Sequence, residues 1–341
     1  GNSYAWNSPV IIGLFIFSAV MLVVFGLVES RAIEPIIPLN LFKNSIVSWS
    51  IVAMMLMAAG MFGTILFIPL YIQGVIGTNA TQSGTVLMPM MITMIGSSII
   101  SGQIIARTGR YKLPGLLGMV VMAIGMYLLS QMGSDPDNTT VVRNMIVVGL
   151  GMGPTMPVFT LASQNAVKVS QLGVVTSLTQ FARSMGSTIG VALFGSILTN
   201  QFTPAFHAAL TDQVVNAVPP EILSQFDNPQ VLLSPDVAEA LQQQVLALGA
   251  DGTQIFNALY AAIQVGLVAA LHDVFLLGAV MGVLGVIAVL FLKEIPLRRS
   301  FAPTAIEPAA DTAAQVGKNA QPSLPPLKRE DQPSRETGLV A

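Results

Sequence analysis

The stretch "SGQIIARTGRYKLPGLLG", residues 101–118, decides how this chain is read. From Asn44 to Ala106 there is no Asp, Glu, Lys, Arg or His. Arg107, Arg110 and Lys112 then arrive together, and the next charge is Asp135. Two long uncharged runs joined by a short cationic turn suit a polypeptide that leaves a bilayer and re-enters it. Cations collect at the cytoplasmic ends of membrane spans, and hydrocarbon tolerates only backbone that satisfies its own polar groups. Gly109 serves a turn this short because it accepts positive φ, and the three cations can hold the turn against an anionic leaflet.

Composition agrees. The chain is 53% hydrophobic and 9% charged, against roughly 25% charged in a soluble domain. There are too few polar groups to cover a water-exposed surface. The absence of cysteine excludes disulfides and thiolate metal sites, and His207 and His272 have no metal-ligand spacing. No metal and no cofactor are expected. A net charge of −2 gives no basis for a nucleic-acid partner. No G-x-S-x-G, H-E-x-x-H, phosphate-binding loop or intramembrane carboxylate pair is present, so the reading is not that of an enzyme.

A span needs about 20 apolar residues, and seven segments qualify: about 9–28, 46–72, 84–106, 114–132, 144–167, 174–199 and 268–292. The uncharged run breaks at "QGVIGTNATQSG", a polar turn that belongs at the water interface. The connections 29–45, 107–113, 168–173 and 293–341 carry Arg31, Lys43, Arg107, Arg110, Lys112, Lys168 and Lys293, whereas the alternate ones carry only Arg143. The connection 200–267 holds six acids, from Asp212 to Asp251, and no Lys or Arg. The fold class is therefore an all-α polytopic membrane protein of seven transmembrane helices, in a plasma (inner) membrane, with the C-terminal tail cytoplasmic. "SPDVAEALQQQVLAL" in the acidic connection has the spacing of an amphipathic surface helix. The Pro-, Ala- and charge-rich residues 300–341 have no apolar period and read as a disordered tail.

"GQIIARTGRYK" resembles the G-x-x-x-D-R-x-G-R-[KR] hairpin of the major facilitator superfamily through Gly102, Arg107, Gly109 and Arg110. The Asp position of that signature is Ala106 here. "ESRAIEPIIPLNLFKN", "GLGMGPTMPVFTLASQNAV" and "LGVVTSLTQFARSMGSTIGVALFGSIL" are similar to the connector and the fifth- and sixth-segment patterns of its fourteen-helix drug:proton antiporter branch. The resemblance implies a linker helix and connector over 1–45 and the six-helix C-terminal bundle over 46–299. It implies a transporter fragment that exports drugs or other amphipathic small molecules, in exchange for protons, by alternating access. Its partners would be a small-molecule substrate, the lipid bilayer and a missing N-terminal bundle. The opening Gly1 in place of Met fits an internal fragment. A narrower substrate, such as a siderophore or metabolite, is an alternative; a seven-helix receptor or sensor is one from another class.

Arg183 is the one fixed cation well inside a span, at a cost of at least about 2.5–3.5 kcal/mol. Thr176, Gln180, Arg183, Ser187 and Gly190 share a helical face that is expected to turn inward, opposite Leu178, Phe181, Met185 and Ile189. Arg183 either binds an anion or a proton-linked carboxylate, or reaches back to the inner interface. The resemblance favours gating or coupling. Gly186 and Gly190 have the small-xxx-small spacing that lets another helix approach. Gly149, Gly153, Pro154 and Pro157 are expected to kink or break the fifth segment. Thr155, Gln164 and Asn165, with Thr64 of the second segment, would then line the cavity. A kink that serves packing alone is the plainer reading. The methionines concentrated over 54–94 suit either a soft pocket or ordinary packing. Asp273 reads as an acid at the outer boundary of the last helix, and the coupling acid is expected outside this chain.

Overall fold

Long runs of apolar residues with their backbone paired internally give the chain its helices. The computed structural model describes residues 8–31, 39–77, 80–134, 137–227, 243–245 and 252–297. The long helices are α1 (Pro9–Arg31), α2 (Ser45–Gly74), α3 (Ala80–Thr108), α4 (Lys112–Ser130), α5 (Asn138–Asn165) and α6 (Leu172–Ala209). Two short ones follow, α7 (Asp212–Ala217) and α8 (Pro220–Leu223), and then α9 (Gly252–Phe291). No strand occurs among the described residues. Among the described residues, seven helices are long and apolar enough to cross a membrane. The tail from residue 300 and most of the amphipathic segment 234–248 lie outside the described residues.

Two boundaries differ from the sequence reading. α6 has 38 residues and α9 has 40, or about 57 and 60 Å at 1.5 Å per residue, against a hydrocarbon core of roughly 30 Å. Residues 200–209 and 252–267, read as connection, are helical. They stay helical because their buried faces remain apolar: Phe202 and Phe206 stack at 5.6 Å, and Gly266 lets α9 approach both rings. Asp273 is consequently not at a helix boundary but well inside α9.

The helices pair in a two-fold pattern. α3 and α4 pack on α5 as α6 and α9 pack on α2; α4 meets α9, and α2 meets α5. Units α2–α3–α4 and α5–α6–α9 are therefore equivalent in their packing on each other, though not within themselves: α6 packs along α9, whereas α3 and α4 scarcely touch. An odd number of crossings separates their members, so equivalent helices run in opposite directions, as in an inverted repeat. α1 stands apart: it is apolar all round, and its exposed side chains run from Val10 to Val28, a surface suited to lipid.

Close approach at two equivalent seams holds the bundle together. On α5, a Cβ at Gly149 or Gly153 would collide with the carbonyls of Met90 or Met94 on α3. On α6, a Cβ at Gly186 would collide with the Met55 carbonyl of α2, and one at Gly190 would come within 2.6 Å of Ala59 Cα. The expected break in α5 is not there. The helix is continuous through Pro154 and Pro157, and its glycines sit at contacts, where α3 supplies the packing that keeps a Pro-containing helix whole.

The cationic corner between α3 and α4 is tied to the end of α9. Gly109 has φ +70°, and its N–H closes on Ile105 O at 2.8 Å. Tyr111 is buried; its hydroxyl donates to Lys293 O at 3.2 Å and accepts from Ile295 N at 3.1 Å. Burial pushes this phenol's pKa up, with the Ile295 bond opposing, so it remains a donor. Lys112 Nζ donates to Leu290 O at 2.9 Å, a cation on the free carbonyls of a helix C-terminus. Trp49 stacks on Phe291 at 5.1 Å.

Candidate functional site

A cleft of about 640 Å³ lies between α2, α3 and α5. Its lining follows a four-residue rhythm, which keeps side chains on one helical face. α2 gives Met57 and Met61, α3 gives Met94, Ser98 and Gly102, and α5 gives Met152, Met156, Thr160 and Gln164. Five thioethers make the wall polarizable and adaptable. Among the described residues, no ionisable side chain lines it. Thr160 donates to Met156 O at 3.0 Å, and Gln164 Nε2 donates to Thr176 Oγ1 of α6 at 2.8 Å. Gln164 thereby links the cleft to the polar stripe of α6. Arrayed this way, the cleft can hold an apolar molecule and offer it a few neutral hydrogen-bonding groups.

The expected site residues divide. Gln164 and Gly102 line the cleft with Gly153 and Pro157. Thr155 does not: it is buried against α4, where a Cβ on Gly118 would meet its methyl at 2.9 Å, and its hydroxyl donates to Met152 O at 2.6 Å. Thr64 is buried, donates to Gly60 O at 3.1 Å and lies 3.2 Å from Met126 Sδ. Asn165 donates to Pro296 O at 3.1 Å and to Ile295 O at 3.4 Å, tying α5 to the segment after α9. In each case a hydroxyl or amide satisfies nearby backbone, a use that sequence spacing does not separate from cavity lining. Pro154 meets α4 at Gly118. Arg107 and Arg110 are exposed at the turn.

The inward expectation for the α6 stripe needs correction. Gln180 is exposed, and Thr176, Arg183 and Ser187 are half-buried; of that face only Gly190 is buried. The buried stripe is instead Val175, Leu178, Thr179, Ala182, Gly186 and Gly190. Leu178, on the face expected to meet lipid or apolar packing, packs in a cluster with Leu41, Val47, Ile51 and Val167. The small residues at 182, 186 and 190 permit the α2 contact and so set the orientation of the helix. Among the described residues Arg183 has no hydrogen bond or ion pair.

The family pattern of the Major Facilitator Superfamily matches residues 2–191, more than half of the chain. The chain belongs to the major facilitator superfamily. Its relatives in the superfamily include the multidrug transporter protein MdtP of Bacillus subtilis (strain 168), 38% identical over 310 residues, which cover 87% of this chain and 55% of that protein. Multidrug resistance protein 3 of the same strain is 36% identical over 211 residues, 62% of this chain and 41% of that protein. The tetracycline resistance determinant of Streptomyces rimosus is 30% identical over 327 residues, 92% of this chain and 90% of that protein. The chain thus spans about half the length of MdtP and nearly all of the Streptomyces protein.

The methionines of α5, Met152 and Met156, escaped the sequence reading. The signal was present as the spacing 152, 156, 160, 164, matched by 57, 61 on α2 and 94, 98, 102 on α3.

Proposed function

We propose that this chain forms one half of an exporter of amphipathic small molecules, and that the cleft between α2, α3 and α5 is its share of the substrate path. One observation carries the reading: five methionines and three neutral polar residues, Ser98, Thr160 and Gln164, line a cleft with no ionisable group among the described residues. Such a wall accommodates varied apolar shapes. The names of the relatives, two multidrug proteins and a tetracycline resistance determinant, support the same substrate class.

In this proposal an N-terminal bundle closes the open side of the cleft. The two bundles rock about the enclosed cavity and expose it to each side in turn. Proton entry drives export through an acid on the other bundle. The turn at Gly109 then lies in the cytoplasm and the acidic α7–α8 region outside, a reading that cation placement supports.

The test uses the complete transporter in an efflux-deficient bacterial host and follows ethidium efflux with and without a proton uncoupler. Gly102→Phe is the informative variant. A Cβ at Gly102 meets nothing within 4 Å, so the ring enters the cleft without disturbing a helix contact. Uncoupler-sensitive efflux is expected in the wild type, with at least about a tenfold loss in Gly102→Phe at equal membrane expression. Full efflux by the variant would remove the cleft from the substrate path.

A further inference from the structure

Apart from the cleft, the bundle carries one acid of note. Asp273 is the sole carboxylate in helices α2–α6 and α9. Its Oδ2 accepts from Gln201 Nε2 at 2.5 Å. A carboxylate has only acceptors to offer, so the Gln201 amide must turn its nitrogen inward, leaving Oε1 as an acceptor. Asn200 spends Nδ2 on Ser196 Oγ at 3.4 Å, leaving Oδ1. Asp273 Oδ1, Gln201 Oε1 and Asn200 Oδ1 have no donor among the described residues. The neighbouring His272 is engaged elsewhere, its Nδ1 lying 2.7 Å from Ser130 O.

These groups line one groove between α6 and α9, of about 510 Å³, whose other walls are Ile197, Leu276, Leu277 and Val280. Polarity is graded along it. Leu276, Leu277 and Val280 follow Asp273 toward the end of α9 that Lys112 caps, and Ile197 precedes Asn200 toward the same end of α6. Asp273 stands about 26 Å along α9 from Leu290 at 1.5 Å per residue, just inside the far edge of a core roughly 30 Å thick. Leu193, Val283 and Leu284, one helical turn further along α6 and α9, are exposed, an apolar surface suited to lipid. It shares no lining residue with the cleft.

We propose that this groove is a lipid site for a phospholipid whose head carries a primary ammonium, in the leaflet opposite the Gly109 turn. The ammonium donates to Asp273, Gln201 and Asn200, and an acyl chain lies along Ile197, Leu276, Leu277 and Val280. Three acceptors and one negative charge select a cation with several N–H groups. A quaternary ammonium brings the charge without the donors, and an anionic head is repelled.

The full chain reconstituted in nanodiscs of equal parts phosphatidylethanolamine, phosphatidylcholine and phosphatidylglycerol, then released for native mass spectrometry, tests the site. Phosphatidylethanolamine is expected to be retained over phosphatidylcholine by about tenfold, the ratio a charge-assisted hydrogen bond commands. Asp273→Asn should abolish that preference and Gln201→Leu should weaken it. The wild-type ratio alone needs no variant to fold. Equal retention of the two lipids, or a preference unchanged in a folded Asp273→Asn, would overturn the site. Capture of added dodecylammonium with no lipid retained would assign the groove to a single-chain amine and overturn the lipid.

Discussion

α3 and α6 hold equivalent places in the two halves of the bundle, each packed on the first helix of the other half, yet their exposed faces differ. α3 exposes Ile92, Ile95, Ile99 and Ile100. α6 exposes a mixed face, with Ser177, Gln180, Ser184 and Thr188 next to Phe181, Met185 and Ile189 and beside the half-buried Arg183. The seams beneath them are alike, glycine against backbone, on α5 in one case and on α6 in the other. The repeat thus fixes the packing and leaves the faces free to diverge. An apolar ridge borders the methionine cleft on one side. On the other lies a polar stripe with a guanidinium that has no partner among the described residues, which lipid would penalise. We infer that substrate is handled on the α3 side and coupling on the α6 side.

The largest expected effects would test whether the seams are equivalent. Gly153→Ile and Gly186→Ile each drive a side chain into the backbone of the facing helix. Each should cost about 3 kcal/mol or more and abolish the monodisperse peak in detergent size-exclusion chromatography. A well-folded variant at either position would break the equivalence. Next is the difference between the faces. Ile92 is 69% exposed, and Ile92→Arg places a charge on the apolar ridge at about 3 kcal/mol on the insertion scale. Membrane-inserted protein should fall several-fold on immunoblots of membrane fractions. Unchanged insertion would show that α3 faces water or polar protein as α6 does. The smallest effect, and the sharpest, is Arg183→Met. The protein should insert and melt as the wild type does while ethidium efflux by the complete transporter drops about tenfold, or 1.4 kcal/mol. Undiminished efflux would leave the polar stripe without a coupling role.

The spans and the tight turn were legible from the chain alone, because charge is nearly absent from the spans and the three cations mark one corner. The family resemblance was legible in Gly102, Arg107, Gly109 and Arg110. The cleft was half-legible. Gln164 was named, but Thr64 and Thr155 were also named and bond local backbone, and Asn165 was named and bonds the backbone after α9. A polar residue in a helix reads the same whether it serves a cavity or its own carbonyls. The face of α6 was misplaced because hydrophobicity is a poor guide in a membrane, where small residues rather than apolar ones mark the packed side. The length of α6 and α9 was missed because a hydropathy window stops at the hydrocarbon edge, while Phe202, Phe206 and Gly266 continue the helix contact beyond it.

The most direct test of the cleft exploits the absence of cysteine from the chain. Ser98→Cys places a thiol in the cleft wall, and Ser196→Cys places one on the exposed face of α6. Maleimide labelling of each is followed in the complete transporter with and without ethidium. The account predicts that ethidium slows labelling at 98 several-fold and leaves 196 unchanged. Equal rates at 98 with and without ethidium, or protection confined to 196, would contradict it.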